Sequence, residues 1–170
     1  IELLKNADKL IGHNILGYDI PVINKLHGVD LSEGKKIVDT LVLSRLFNPT
    51  REGGHGLESW GYRLRHRKLE FKEFERFTPE MLTYCENDVS LNNKVYKHLK
   101  IEAQGFSAKS ITLEHEVYKI LNAQRDKGFL LDVEHAMKLV AKLSQKLFEA
   151  EALVQQTFLP KDSSIKLLPT

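Results

Sequence analysis

Tyr84-Cys85-Glu86-Asn87-Asp88 sets a phenol and a carboxylate four residues apart. On an α-helix such a pair projects from one face, one side chain above the other. Far upstream, His13-Asn14-Ile15-Leu16-Gly17-Tyr18-Asp19 carries a second carboxylate just after a short apolar segment. If Asp19 reaches the same point as Tyr84 and Asp88, the three form a metal site with a tyrosine beside it. Hydrolysis of a phosphodiester is the chemistry that suits it: two divalent ions about 3.5–4 Å apart activate water, hold an in-line geometry and stabilise the leaving oxygen. Mg²⁺ prefers oxygen ligands, so carboxylates from separate elements are the expected protein contribution. Clustered acids resist ionisation without metal, which couples their pKa values to metal binding. A phenol, whose free pKa is about 10, suits orienting a water better than deprotonating it, and Tyr84 would take that role. Plainer readings stand beside this one. A Tyr-x-x-x-Asp pair arises often by chance, and an aspartate after a strand is often a helix cap.

The elements that must position these groups are legible in the pattern. Residues 2–8 read as the end of a helix, and Lys9 to His13 as a short, buried strand leading into a loop at Asn14. Pro21 fits the first turn of a helix over 20–26, which Gly28 ends. Residues 36–39 form a second strand candidate, and a helix over 40–47 stops at Asn48-Pro49. The Gly53-Gly54-His55-Gly56 cluster reads as a turn, with His55 structural in it. A helix over 57–64 and a polar loop through Arg76 follow. Thr78-Pro79-Glu80 combines a capping hydroxyl, a proline at the first position and an acid in the first turn. The helix it opens runs to about Ile101. Leu82, Cys85, Val89, Tyr96 and Leu99 form its expected core stripe, with Tyr84, Asp88, Leu91 and Val95 in the adjacent row at the edge of the buried face. Residues 104–107 read as a linker, followed by long helices over about 113–127 and 134–158, with Gly128 ending one and Asp132 capping the next.

Composition sets the bounds. With 170 residues and 42% hydrophobic content, the chain suffices for one domain, or one domain and a piece of another. A net charge of +2 does not by itself imply nucleic-acid binding. The basic run Arg63-Leu64-Arg65-His66-Arg67-Lys68 reads either as a solvated helix end or loop, or as a phosphate-contacting patch. The single cysteine, Cys85, excludes an internal disulfide and a cysteine-ligated zinc site, and reads as a small hydrophobe packed in the core. No stretch approaches the roughly 20 apolar residues of a membrane span, and charges interrupt any signal-like start. A cytoplasmic setting is the default expectation. The opening at Ile1 and the close at Leu167-Leu168-Pro169-Thr170 read as cuts through a longer protein.

The order of the elements carries a resemblance. Asn14-x-x-x-Tyr18-Asp19 resembles the second motif of the proofreading 3′–5′ exonucleases with four acidic residues, and Tyr84-x-x-x-Asp88 the third, in its tyrosine-bearing form. Between them, residues 38–46 and 55–64 resemble the proofreading domain of family A DNA polymerases, most closely the replicative polymerases of tailed bacteriophages. Residues 120–129 with Asp132 are similar to the segment that opens their polymerase domain. The resemblance implies an α/β, ribonuclease H-like exonuclease domain over 1–104, lacking its first strands and predominantly helical as given. Two long helices over 108–170 would then begin the polymerase domain. It further implies Asp19 and Asp88 as ligands of two Mg²⁺ or Mn²⁺ ions, Tyr84 positioning the nucleophilic water, and DNA as partner, as a single-stranded 3′ end and a primer-template. Asn14 would lie near the substrate's 3′ end, or else simply form a turn. Asp39 would support the site or cap the following helix.

One departure limits this. The family's first motif, Asp-x-Glu on the first strand, supplies two of the four acids and belongs upstream of residue 1. The only Asp-x-Glu here, Asp132-Val133-Glu134, follows the third motif and reads as a helix cap with an acid in the first turn. The 170 residues alone are therefore expected to bind metal weakly and to be nearly inactive. Two other readings remain open: a stand-alone exonuclease of the same fold, with RNA as a candidate substrate, and a non-catalytic DNA-binding module.

Overall fold

The computed structural model describes residues 1–158. Among these residues nine elements follow in order: α1 (Glu2–Lys5), β1 (Lys9–Gly12), α2 (Asp19–His27), β2 (Lys36–Asp39), α3 (Thr40–Phe47), α4 (Leu57–Arg63), α5 (Pro79–Glu102), α6 (Ala108–Lys127) and α7 (Val133–Thr157). The described residues are thus mostly helical. β1 and β2 pair in parallel, Leu10 opposite Ile37 and Gly12 opposite Asp39. Because α2 crosses between them, the β1–α2–β2 segment is a right-sized parallel crossover of the kind α/β folds are built from. No helix among the described residues is long and apolar enough to cross a membrane.

Local chemistry explains most boundaries. Gly28 closes α2 in the left-handed region (φ 61°), where a side chain would add strain. Thr78 caps α5 by accepting from Met81 N, and Pro79 takes the first helical position, where its missing N–H costs nothing. α6 begins at Ala108, five residues before the expected start. Ser107 accounts for this: its hydroxyl accepts from Ser110 N at 3.0 Å and so acts as a cap.

The chain divides into two compact units, one running to Lys127 and the other from Gly128. The first takes in α6 and so extends past the linker expected at 104–107. The second contains α7, whose first turn Asp132 caps through His135 N at 2.9 Å. Residues 159–170, with the chain end at Leu167 to Thr170 and the tail of the segment expected to begin a polymerase domain, lie outside the described residues.

Two apolar clusters hold the first unit. Leu10, Leu16, Ile20 and Leu31 gather around β1 and α2. Val38, Leu43, Trp60, Leu91, Val95 and Leu99 join β2, α3, α4 and α5. The second cluster corrects the expected stripe of α5. Leu82 and Val89 are 47% and 70% exposed, and Cys85 is exposed as well, so it is not a core residue. The buried row is Leu91, Val95 and Leu99, continuous at helical spacing with Tyr84 and Asp88. Both rows are apolar enough to be core, and Trp60, fully buried against this row, selects one. Tyr84 and Asp88 therefore lie on the packed face of α5 itself. β1 is also less buried than expected. Only Leu10 is buried, and Ile11 on the opposite face is exposed.

Trp60 is held from several sides. The guanidiniums of Arg51 and Arg63 lie 4.5 and 4.8 Å from its ring, and His98 meets it edge-on at 5.5 Å. Arg51 also makes a two-pronged pair with Glu102 at the end of α5, the geometry in which arginine–carboxylate pairs are strongest. This clamp fixes α4 against α5, and with it the start of the loop that faces Tyr84.

Candidate functional site

Asp39 organises the loop that leads to Asp19. It is fully buried at the end of β2. Its Oδ1 accepts from Asn14 N and Leu41 N, each at 2.9 Å, and its Oδ2 from Leu16 N at 3.1 Å. One carboxylate thus caps α3 and pins residues 14–16 across the top of the two-stranded sheet. Its own backbone N–H donates to His115 Nε2 at 3.0 Å, while His115 Nδ1 meets Ile111 O at 2.7 Å. That pair of bonds requires the proton on Nδ1. Of the two roles expected of Asp39, site support or helix cap, the bond from Leu41 N shows the cap, and the bonds from Asn14 N and Leu16 N tie the loop to it.

Asn14 takes the left-handed conformation (φ 62°), which asparagine tolerates better than most residues. Its carbonyl accepts from Gly17 N and Tyr18 N, both at 3.0 Å. Its side-chain Oδ1 accepts from Tyr118 Oη at 2.6 Å, so α6 reaches back to the loop. The turn-forming reading of Asn14 is therefore realised in the backbone. Beside it, His13 Nδ1 contacts Thr40 Oγ1 at 2.9 Å, and Thr40 Oγ1 reaches Asn92 Oδ1 on α5 at 2.8 Å. Burial lowers the pKa of His13 to about 4, with Arg45 and Lys68 adding to the effect and Asp39 opposing it. At neutral pH His13 is an uncharged structural link.

Asp19 opens α2. Desolvation raises its pKa, the nearby charge of Asp39 adds to the rise, and its helix-terminal N–H works the other way. A carboxylate held in this way gains from an approaching cation.

Asp88 and Tyr84 converge on Lys68, from the loop between α4 and α5. The Lys68 ammonium stands 3.5 Å from Asp88 Oδ2 and 5.5 Å from the centre of the Tyr84 ring. Burial works against the ammonium, but Tyr84 and Asp88 together outweigh it and raise the pKa of Lys68. Asp88 Oδ1 is buried and has no hydrogen-bond partner among the described residues, a condition that is costly unless a donor or cation supplies the contact. Phe71 and Phe74 pack on Tyr84, with ring centres at 5.8 and 5.9 Å. The expected partner of this pair is Asp19. The structure gives each carboxylate its own charged neighbour, Asp39 for Asp19 and Lys68 for Asp88.

Around Lys68 opens a cleft of about 730 Å³, lined by four cations (Arg65, Arg67, Lys68 and Lys72), the rings of Tyr62, Phe71 and Tyr84, and two carboxylates, Glu58 and Glu70, among others. Interleaved cations and aromatic faces suit a phosphate backbone with unstacked bases. The basic run thus divides. Arg63 stacks on Trp60, whereas Arg65, Arg67 and Lys68 face the cleft. Lys68 is the functional candidate that sequence reading passed over. Its signal was a basic run lying before the Tyr84–Asp88 helix, with nothing to show which of its members turned inward.

The donor chemistry fits a hard divalent ion: oxygen-only carboxylates, one with an unpartnered buried oxygen and one whose ionisation the surroundings disfavour. The set is incomplete. Among the described residues, no three histidine, cysteine, aspartate or glutamate side chains are grouped to hold a metal. In the Asp-x-Glu at residues 132–134, Asp132 caps α7, as its sequence context implies.

No family model matches the chain. Its sequence is similar to curated bacteriophage proteins. It is 25% identical to the DNA-directed DNA polymerase of Enterobacteria phage T3, over 91% of this chain and 30% of that protein. To the DNA-directed DNA polymerase of Escherichia phage T7 it is 25% identical, over 88% and 29%. To the DNA polymerase of Mycobacterium phage D29 it is 26% identical, over 89% and 30%. The chain spans about 30% of the length of the phage DNA polymerases it resembles.

Proposed function

We propose, from this homology to phage DNA polymerases, that the chain is part of a DNA-directed DNA polymerase and contributes its 3′–5′ proofreading exonuclease. In this reading, residues 1–104 belong to a ribonuclease H-like exonuclease domain, and 108–170 begin the polymerase domain. Asp19 and Asp88 hold Mg²⁺ or Mn²⁺, Tyr84 orients the water that attacks the terminal phosphodiester, and Asn14 lies near the 3′ end. The substrate is DNA, entering as a frayed single-stranded 3′ end, in the host cytoplasm if the gene is a phage's. The divalent ions would polarise the phosphate and generate the nucleophile. The chain's own residues orient water, receive the strand and hold the carboxylates in place.

The observation that carries this reading is the convergence of Tyr84 and Asp88 on one cation at the wall of a basic, aromatic cleft. A phenol packed by Phe71 and Phe74 is held rigidly enough to place a water, and an unpartnered carboxylate oxygen beside it is ready for a cation. Full activity needs two further carboxylates from outside these 170 residues, so the chain alone is expected to degrade single-stranded DNA barely, even with Mg²⁺.

Asp88→Ala in the full-length protein tests the reading. Removal of a mismatched 3′ nucleotide should fall by about a hundredfold or more, since a metal site supplies several kcal/mol of transition-state stabilisation. Primer extension by the same variant should persist. Excision at the parent rate would refute the assignment, and would favour a non-catalytic DNA-binding role for the cleft.

A further inference from the structure

We infer that Lys68 is a positioning residue: its ammonium holds the place of a cation between Tyr84 and Asp88, and it must release Asp88 when a divalent ion binds. The inference rests on the reading of Asp88 as a metal ligand and adds a residue that sets how tightly the site takes metal.

Three features of the geometry point to it. The ammonium lies within ion-pair reach of Asp88 Oδ2 and over the Tyr84 ring, so one cation already organises the two groups. It leaves Asp88 Oδ1 without a partner among the described residues, so a single ammonium does not satisfy the carboxylate. Mg²⁺ requires its oxygen ligands at about 2.0–2.1 Å. A divalent ion drawn that close to Asp88 would face a second positive charge about 4 Å away, and the two repel. The two cations are therefore alternatives at one carboxylate.

Lys68 has somewhere to go. It sits on the irregular segment between α4 and α5 and lines the cleft together with Arg65 and Arg67, and its side chain is 29% exposed. A swing of its four-carbon stem into the cleft would take the ammonium to the wall already rich in cations, where a phosphate backbone would bind it. In the absence of metal, Lys68 keeps Tyr84 and Asp88 aligned and the buried carboxylate compensated.

The test is Mn²⁺ titration of the full-length protein, followed by loss of the free-ion EPR signal, with Asp88→Asn defining the binding that depends on Asp88. Lys68→Met keeps the stem and removes the charge, and should tighten this Asp88-dependent binding about tenfold. Lys68→Arg retains the charge and should stay within about twofold of the parent. Lys68→Gln provides a second neutral variant, and far-UV circular dichroism checks that each is folded. A lysine that only supported the loop would, on removal, leave Mn²⁺ binding unchanged or weaken it. Either of those results in both neutral variants, with Asp88→Asn still abolishing the binding, overturns the role of Lys68 and leaves the site assignment standing. Mn²⁺ binding indifferent to Asp88→Asn overturns both.

Discussion

Asp39 makes the strongest quantitative prediction. It is fully buried and accepts three backbone N–H donors at 2.9, 2.9 and 3.1 Å. Asp39→Ala would strand the N–H groups of Asn14, Leu16 and Leu41. Each buried donor left unpaired costs about 1–3 kcal/mol, and the loss is partly offset because a buried carboxylate no longer has to be desolvated. The expected net cost is roughly 3–5 kcal/mol, a large share of the ~5–15 kcal/mol that holds a typical domain. Asp39→Asn is more discriminating. Its amide oxygen can still accept from Asn14 and Leu41, which both use Oδ1, but its NH₂ would face Leu16 N. One bond is replaced by two opposed donors, and the expected cost is about 2–3 kcal/mol. Urea denaturation measures both. With m of about 1–3 kcal/mol/M, the alanine variant should lose on the order of 1–5 M in midpoint, and the asparagine variant less. A cost under about 1 kcal/mol for Asp39→Ala, or an asparagine variant less stable than the alanine one, would contradict these hydrogen bonds as a source of stability.

Other consequences are equally open to measurement. Leu91→Ala should cost about 2–5 kcal/mol because the side chain is fully buried, whereas Val89→Ala, on the exposed face, should stay within about 0.5 kcal/mol; equal effects in urea would return the core to the other stripe. Gly61→Ala should destabilise by about 1–3 kcal/mol, since its Cβ would lie 2.8 Å from His66 O, a backbone atom with little room to yield; a neutral result in thermal melts would contradict that packing. The depressed pKa of His13, about 4 against an ordinary 6.5, favours the neutral form in the folded state. Its contribution, on the order of 3 kcal/mol at most, is present above pH 6.5 and lost as pH falls towards 4. Stability of a His13→Gln variant should accordingly change less over that window than the parent's does; parallel curves would exclude the linkage.

Much of this protein can be read directly from its residues. Local chemistry is written locally: Thr78-Pro79-Glu80 starts α5, Gly28 ends α2, Asp132 caps α7, and Asp39 caps α3. The order of the Asn14–Asp19 and Tyr84–Asp88 segments, with the stretches between them, resembles phage polymerases, and the similar proteins are phage DNA polymerases. Tertiary structure decided what depends on partners distant in sequence. Either row of α5 could have packed inward, and Trp60 with the residues around it chose the row containing Tyr84 and Asp88. Cys85 was exposed by that same choice. The reach of His115 and Tyr118 from α6 back to Asp39 and Asn14, and the inward turn of Lys68 out of a run of similar cations, have no local signal at all. A helix cap is settled within one turn of chain, whereas the face that a long helix buries and the partner that a buried charge finds are settled only when segments dozens of residues apart compete for the same space.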